Sequence, residues 1–263
     1  MDAAVWWLRG ALVSYAAGSL LAFVPWRRGG APPSRPIAPW CAGLGALLHS
    51  VALLQTGWTL GRCPLGTLPE VLSVLAWAFT LAALWVWWRS RLDVVLAIEQ
   101  PLAFFVLLLS QVLPRESFLA GAAPSPAFVR FHLTVILFGV AALSITFAAS
   151  ILYLAVDRAL KAKRPIAAFR RLPSLEACDL LAYRSLAVAF ALLTLGILSG
   201  AVINDAMTGA PWTWRREETL AILAWILLGA IVLARLGWGW RGRRASILMV
   251  LGFGLILLRM LGF

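Results

Sequence analysis

Six polar side chains fall inside or at the ends of long apolar blocks in this sequence, where an uncompensated polar group is costly. They are His49, Gln55, Glu70, Glu99, Gln111 and His132. The chain has two histidines, and both belong to this set. Because a neutral imidazole either hydrogen-bonds or ligates a metal, the histidines are the first candidates for chemistry.

The surroundings of the two histidines predict that both face the inside of a helix bundle. His132 starts a stripe of small and weakly polar residues at helical spacing, and His49 shares a helix face with Ala42 and Gly45. The stripe from His132 continues through Ile136, Gly139, Ala142, Thr146 and Ser150. A neutral imidazole is a good axial ligand for heme iron, so the pair could serve one heme or two. The alternative is that each donates one hydrogen bond to a neighbouring helix.

The two carboxylates of the set have simpler interpretations. Glu70 lies where a helix begins, and we expect it to cap that helix and face water. Glu99 lies a few residues inside a helix, and we expect it to reach the membrane interface or pair with Arg89 or Arg91. A proton relay through Glu99 has weak support, because the nearest acid, Asp93, is at the helix start.

Trp212 and Trp214 are separated by one residue just before an apolar block. Tryptophan concentrates at membrane interfaces, so this pair is typical of an anchor. Two indoles beside a loop could also form a flat apolar platform for a porphyrin.

The elements that position these residues follow from composition. Hydrophobic residues make up 62% of the 263 residues and charged residues 13%, and the apolar residues fall in blocks long enough to cross a bilayer. Only helices satisfy the backbone of such blocks, and the alternation of a β-barrel is absent from the sequence. We therefore predict one all-α, polytopic integral membrane domain over residues 1–263. Its eight spans are predicted at residues 5–25, 37–57, 69–88, 94–113, 128–156, 181–203, 218–237 and 246–263.

The net charge of +12 comes from Lys and Arg at predicted helix ends and in short loops, which argues against nucleic acid as a partner. One set of loops holds sixteen of the 23 basic residues, so the positive-inside rule places that set in the cytoplasm and both termini outside. The basic segment 157–171 is expected to contact anionic lipid.

Three local features are also predicted: Ser174 as a helix N-cap, close packing at Gly196 and Gly200, and three unpaired cysteines.

Several ordered pieces of the sequence resemble one family. The loop before the seventh block matches the pattern WGxxWxWDPKET, followed by a helix beginning near LITW, at Gly209, Trp212, Trp214, Glu218, Thr219 and Trp225. Residues 61–70 are similar to the segment GHFPLSNLYE, and 131–133 resemble an outer histidine at a helix start. Residues 193–201 and 239–244 resemble the helix before the loop and a later basic inner loop. The chain thus resembles the cytochrome c assembly (WWD-type) membrane proteins, more nearly their eight-helix HemX-like or CcsA-like relatives.

This resemblance implies a heme-handling accessory protein that holds heme b near the outer leaflet and passes it to a partner, without enzymatic activity. His132 would be the outer ligand, Trp212 and Trp214 the platform, and His49 a second ligand or a structural group. Arg215 stands where the family has an aspartate, and a cation there could pair with the heme propionates. We expect a multi-pass protein of a bacterial-type inner membrane, with lipid and membrane subunits of a cytochrome assembly or respiratory complex as partners.

Departures from the family pattern favour a second interpretation. Thr208 replaces the first tryptophan of the loop, Leu233 and Arg62 replace two histidines, and the carboxy-terminal histidine has no counterpart before Phe263. The alternative is therefore a structural or regulatory membrane subunit of a larger complex that no longer binds heme. A transporter is less favoured because the two halves lack clear similarity. An intramembrane hydrolase is less favoured because no GxSxG or HExxH motif occurs.

Overall fold

A computed structural model describes residues 2–28, 37–114, 125–162 and 173–260 of the chain. All the regular elements in these residues are α-helices, and they fall into two compact units, residues 1–120 and 121–263. Unit 1 contains α1 (Asp2–Arg28), α2 (Ala38–Leu60), α3 (Leu68–Ser90) and α4 (Asp93–Val112). Unit 2 contains α5 (Pro126–Lys161), α6 (Leu175–Thr208), α7 (Arg216–Trp238) and α8 (Arg243–Met260).

These eight helices confirm the eight predicted apolar segments. Six of them, α2 to α7, are long and apolar enough to cross a membrane, so the chain is a multi-pass helical membrane protein. The helix α8 has 18 residues and includes three arginines, and neither it nor α1 is among the six. The number of spans beyond six, the single domain and the orientation of the termini stay predictions.

Parts of the predicted loops lie outside the described residues. They are 29–36 with Arg35, residues 115–124 with Arg115, and most of the basic segment 157–171, namely Lys163, Arg164, Arg170 and Arg171. The last three residues of the predicted eighth span, 261–263, lie outside as well.

Side-chain caps fix where two of the helices begin. Ser174 accepts a hydrogen bond from the Ala177 backbone N–H at 3.1 Å, which confirms the predicted N-cap of α6. Thr67 accepts one from the Glu70 N–H at 3.3 Å at the start of α3. Helix α6 ends at Thr208, and the next residue, Gly209, has a φ of +74°, in the left-handed region that glycine adopts without a steric penalty.

In unit 1, α1 packs on α2 and α4, and α3 packs on α4 and α2. The face of α2 with Ala42, Gly45 and His49 is buried, as predicted. A Cβ at Gly45 would lie 2.6 Å from the Tyr15 ring, so the absence of a side chain there lets α1 approach α2 closely.

In unit 2, α5 packs along α6 and α8, and α7 packs against α6 and α8. The glycine pair of α6 faces α5, because a Cβ at Gly196 would lie 2.7 Å from Ile136 and one at Gly200 would lie 2.9 Å from the His132 ring. Further along the predicted stripe, Thr146 donates to the Ser185 hydroxyl at 3.0 Å. Both the small-residue interface and the inward face of α5 are therefore confirmed.

An ion pair joins α6 to α7 at the other end of unit 2. Arg235 Nη1 lies 2.7 Å from Asp179 Oδ2, with both side chains largely buried, and the Arg235 guanidinium stacks over the Tyr183 ring. Asp179 also accepts from the Gly242 backbone N–H at 3.3 Å in the turn before α8. This network ties three helices together opposite the end that carries the Trp212–Trp214 loop.

Replacement of Gly196 by alanine is expected to destabilise unit 2 by about 1–3 kcal/mol, because the new methyl group meets Ile136 in a packed interface. The matched control is Gly43→Ala in α2, where a Cβ has no heavy atom within 4 Å. Thermal unfolding of the detergent-purified variants measures the difference. Equal midpoints for the two variants would contradict the close α5–α6 packing.

Candidate functional site

His49 is fully buried in unit 1, and both of its ring nitrogens have partners. Nδ1 lies 3.1 Å from the Tyr15 hydroxyl and Nε2 lies 3.0 Å from the Ser73 hydroxyl. These contacts join α1, α2 and α3 through one imidazole. The structure therefore gives His49 a hydrogen-bonding arrangement that leaves neither nitrogen free for a ligand.

His132 is held differently, by Ser199 and the backbone of Gly196 on the neighbouring helix α6. Its Nδ1 lies 2.9 Å from Ser199 Oγ, and the Ser199 hydroxyl donates to the Leu195 carbonyl oxygen at 2.7 Å. Because the serine proton is committed to its own helix, the serine oxygen accepts from the imidazole, and Nδ1 carries the proton. Nε2 then holds a lone pair, and within the described residues no side-chain hydrogen bond forms at that nitrogen.

Metal-binding histidines often share this arrangement. A ligating histidine commonly donates its second ring N–H to a fixed acceptor, which sets the tautomer and the ring orientation. Gly200 contributes as well, because the missing side chain leaves room for the His132 ring, which lies 2.9 Å from a Cβ built there.

The loop between α6 and α7 has a defined structure of its own. The Asn204 side-chain amide donates to the Ala210 carbonyl oxygen at 2.9 Å, and the Thr208 hydroxyl donates to the Asn204 carbonyl oxygen at 2.8 Å. Thr208 replaces the first tryptophan of the family pattern, and its hydroxyl also accepts from the Ala210 backbone N–H at 3.4 Å. These bonds return the chain sharply from α6 toward the two tryptophans.

A carboxylate of α7 holds the tryptophan segment from the other side. Glu218 accepts hydrogen bonds from the Thr213 backbone N–H at 2.8 Å and from the Thr213 hydroxyl at 2.7 Å. The intervening Trp214 has a φ of +55°, which is uncommon for a residue with a side chain. Its indole is 70% exposed, whereas Trp212 is half-buried. The bonds between Thr213 and Glu218 thus hold the Trp214 indole in an exposed position, while the Trp214 backbone adopts an unfavourable conformation.

Two arginines flank this segment. Arg215 is exposed and forms the N-cap residue of α7, its carbonyl oxygen accepting from the Thr219 N–H at 2.9 Å. Arg259, near the end of α8, donates to the Glu217 carbonyl oxygen at 3.2 Å. Sequence reasoning did not select Arg259 as a site residue, although a lone arginine in the last turn of an apolar helix is a signal that could have done so.

The fold brings four of the five predicted site residues to one end of unit 2. Ser199, the partner of His132, lies nine residues before the end of α6 at Thr208, about 13 Å along the helix. The positive charge of Arg259 also acts on His132. His132, the Trp212–Trp214 loop and Arg215 therefore share this end, whereas His49 belongs to the other unit.

In unit 1, an ion pair joins the turn after α2 to the start of α3. Arg62 donates to both Glu70 carboxylate oxygens at 2.8 and 2.9 Å, and the Gly66 N–H donates to one of them at 2.7 Å. The hydrogen bonds to the Glu70 carboxylate raise the pKa of the Arg62 guanidinium above its ordinary value. The Glu70 carboxylate reaches back to the Gly66 N–H beside the N-cap Thr67, which confirms the predicted position at the helix start, but the side chain is only 17% exposed to water. Arg62 covers it.

Glu99 also departs from expectation. Its exposed fraction is 0%, so the side chain does not extend to solvent at the interface, and the neighbouring Gln100 is equally buried; pairing with Arg89 or Arg91 stays a prediction. The three cysteines are all free, as expected: Cys41 is half-buried, Cys63 exposed and Cys178 buried.

Together, the helices and the loop define a multi-pass membrane protein with an aromatic, cationic loop and a hydrogen-bonded histidine at the same end of unit 2. A sequence model of the family described as cytochrome C assembly protein matches residues 44–263. The chain is 32% identical to the cytochrome c biogenesis protein CcsA of Synechococcus sp. (strain CC9902), an alignment that covers 83% of this chain and 81% of that protein. It is 30% identical to the CcsA protein of Guillardia theta over 82% of this chain and 79% of that one. The chain belongs to the cytochrome C assembly protein family.

We expect Glu218 and the adjacent Glu217 to differ in how strongly their replacement loosens the tryptophan loop, because the Glu218 carboxylate bonds Thr213. Glu218→Ala removes both acceptors of Thr213 and is expected to increase tryptic cleavage after Arg215 and Arg216 severalfold, because the loop then opens more often. Glu217→Ala is the control, since Glu217 contributes its backbone oxygen to the bond with Arg259. Cleavage rates are measured by mass spectrometry of the detergent-purified protein. Equal rates in the two variants would contradict a clamping role.

Proposed function

We propose that this protein is a heme-handling accessory of cytochrome c assembly, which holds heme b near the outer leaflet and passes it to a membrane partner. Family membership and relatives named cytochrome c biogenesis protein support the general role. The observation that carries the proposal is the hydrogen bond between His132 Nδ1 and Ser199, because it leaves the lone pair of Nε2 for iron.

The residues around His132 suit the other parts of a heme. Trp214 offers an exposed indole face to a porphyrin ring, and Trp212 lies two residues before it in the same loop. Arg215 and Arg259 supply cations for the propionates, since guanidinium groups pair well with carboxylates. When bound, heme would supply the iron centre, whereas these side chains bind it, orient it and balance its charge. Such a role needs no catalytic residue.

His49 receives a structural role in this proposal. Both ring nitrogens are occupied by Tyr15 and Ser73, so use of His49 as a ligand would break a buried hydrogen bond. Of the two roles open to it, joining three helices fits its contacts better. This assignment leaves one protein ligand for iron, which suits a site that must release its heme.

The location follows from the charge distribution. With the basic loops inside, His132 and the Trp212–Trp214 loop lie at the outer side of the membrane. We place the protein in a bacterial-type inner membrane. A cytochrome assembly partner would approach the exposed tryptophan loop there.

The first test compares the two histidines. The protein is purified in mild detergent after expression with added heme, and reduced-minus-oxidised spectra are recorded. His132→Ala is expected to lose most of a b-type Soret absorption, and His49→Gln to keep it. Added imidazole should restore the Soret band of His132→Ala, because the small ligand replaces the missing axial nitrogen. Loss of the band in both variants without rescue by imidazole would overturn the ligand assignment.

The second test concerns charge at the loop. Arg215→Ala is expected to lower heme retention roughly threefold, since an exposed ion pair contributes about 0–1 kcal/mol. The control is Arg216→Ala, an exposed arginine in the first turn of α7. Retention is measured by transfer of heme to excess apomyoglobin. Equal heme-transfer rates in both variants would show that Arg215 does not help to bind heme.

A structural or regulatory subunit without heme is the second candidate. The replacements at Thr208, Arg215 and Leu233 and the Arg62–Glu70 pair favour it, because they alter positions that carry tryptophan, aspartate or histidine in the family pattern. A well-folded, colourless protein that co-purifies with other membrane subunits would support this role over the first.

A further inference from the structure

The turn between α7 and α8, residues 239–242, concentrates positive charge at one end of unit 2. Arg241 lies in this turn, and Arg243 and Arg244 are the first two residues of α8. These three residues, the turn arginines, are exposed, and within the described residues none of them forms a salt bridge or a side-chain hydrogen bond. Because three like charges within four residues repel one another, an anion bound at this turn would stabilise it.

The acidic residues at this end of unit 2 do not balance the turn arginines. Asp157 pairs with Lys161 at 2.9 Å, and Asp179 pairs with Arg235 at 2.7 Å. Glu176 is exposed in the first turn of α6 and forms no salt bridge among the described residues. One unpaired carboxylate at this end therefore faces three unpaired guanidinium groups.

The connection between α5 and α6 adds further positive charge. Residues 163–172 lie outside the part of the chain that the structure describes, and their sequence contains four basic residues and no acidic one. This segment can supply no counter-charge to the turn arginines. The partner that best fits the turn is therefore an anion from outside the protein.

Backbone hydrogen bonds hold the turn in a defined position. The Gly242 N–H donates to Asp179 Oδ1 at 3.3 Å, and the Trp240 N–H donates to the Ala234 carbonyl oxygen at 3.2 Å. Gly242 has a φ of +84°, and a Cβ there would lie 2.9 Å from the Tyr153 hydroxyl, so a side chain is disfavoured on both counts. The turn arginines therefore extend from a fixed segment of backbone.

Exposed apolar side chains adjoin the turn arginines. Trp238 and Trp240 are 79% and 44% exposed, and indoles prefer the boundary between lipid headgroups and acyl chains. On α8, Arg243, Ile247 and Leu251 are all exposed at four-residue spacing, so they share one face of the helix with the guanidinium at its end. This order of cation, indole and aliphatic side chain matches the headgroup, glycerol and acyl chain of a phospholipid.

We propose that the α7–α8 turn binds an anionic phospholipid, with the turn arginines pairing with its headgroup and an acyl chain lying along Ile247 and Leu251. A guanidinium group suits this role because it donates two parallel hydrogen bonds to a phosphate group. A soluble phosphate shares that chemistry but makes no use of the exposed indoles and aliphatic face. The site lies at the opposite end of unit 2 from the candidate heme residues and does not depend on the heme proposal.

The first experiment compares two lipids on the unaltered full-length protein in detergent. Phosphatidylglycerol and phosphatidylcholine with identical acyl chains are added separately, and native mass spectrometry measures the dissociation constant of the first bound lipid. Phosphatidylglycerol is expected to bind about tenfold more tightly, because each arginine near an anionic headgroup strengthens binding roughly fivefold. Equal dissociation constants would overturn the proposal. Displacement of phosphatidylglycerol by inorganic phosphate at constant ionic strength would also overturn it, since the site would then accept a soluble anion.

Two double variants locate the lipid on the protein. Arg243→Gln combined with Arg244→Gln is expected to abolish the preference for phosphatidylglycerol, and neither side chain makes a bond in the described residues that the fold would lose. The control combines Arg130→Gln with Arg216→Gln, which removes two exposed arginines at the opposite end of unit 2 and should leave the preference unchanged. A preference that persists in the first variant, or that falls equally in both, would refute this site.

A third variant separates the geometry of the turn from its charge. Gly242→Ala keeps all the turn arginines but displaces the backbone, because the new methyl group meets the Tyr153 hydroxyl at an unfavourable φ. The preference for phosphatidylglycerol is expected to fall severalfold in the same measurement. An unchanged preference would show that net charge alone attracts the lipid, which would contradict a site built by this turn.

Discussion

Hydroxyl groups that donate to the preceding turn of their own helix determine the polar chemistry of this protein. In an apolar environment a serine or threonine proton needs an acceptor, and the carbonyl four residues earlier is always within reach. Ser199 bonds Leu195 in this way, and Thr80 bonds Ala76. The Ser199 oxygen is then left as an acceptor, which places the proton of the His132 imidazole on Nδ1.

The two histidines show how the same rule yields different outcomes. His132 bonds Ser199 through Nδ1 and also contacts the Gly196 backbone, whereas His49 lies between Tyr15 and Ser73 and uses both nitrogens. Residue type is identical and both helices are apolar, so the neighbours decide the role. A histidine with one side-chain partner is suited to bind a ligand, and one with two such partners is suited to join helices.

Close helix packing is the condition for both arrangements. Gly45 admits the Tyr15 ring, and Gly200 admits the His132 ring. In lipid, small residues let backbones approach and bring side-chain hydrogen bonds into range across helices. Gly45 and Gly200 therefore determine where the Tyr15 and His132 rings lie, as well as how closely the helix backbones approach.

The sequence by itself determined the helices, the membrane class and the family, because apolar block length, caps such as Ser174 and the ordered loop motif are local properties. It also indicated His132 and the tryptophan pair as residues to examine. Tertiary structure alone decided the partners: Arg62 over Glu70, the complete burial of Glu99, the contact of Arg259 with the first turn of α7, and the two settings of the histidines. Such contacts join residues far apart in the chain, and helical periodicity shows which face turns inward but not which residue of another helix it meets.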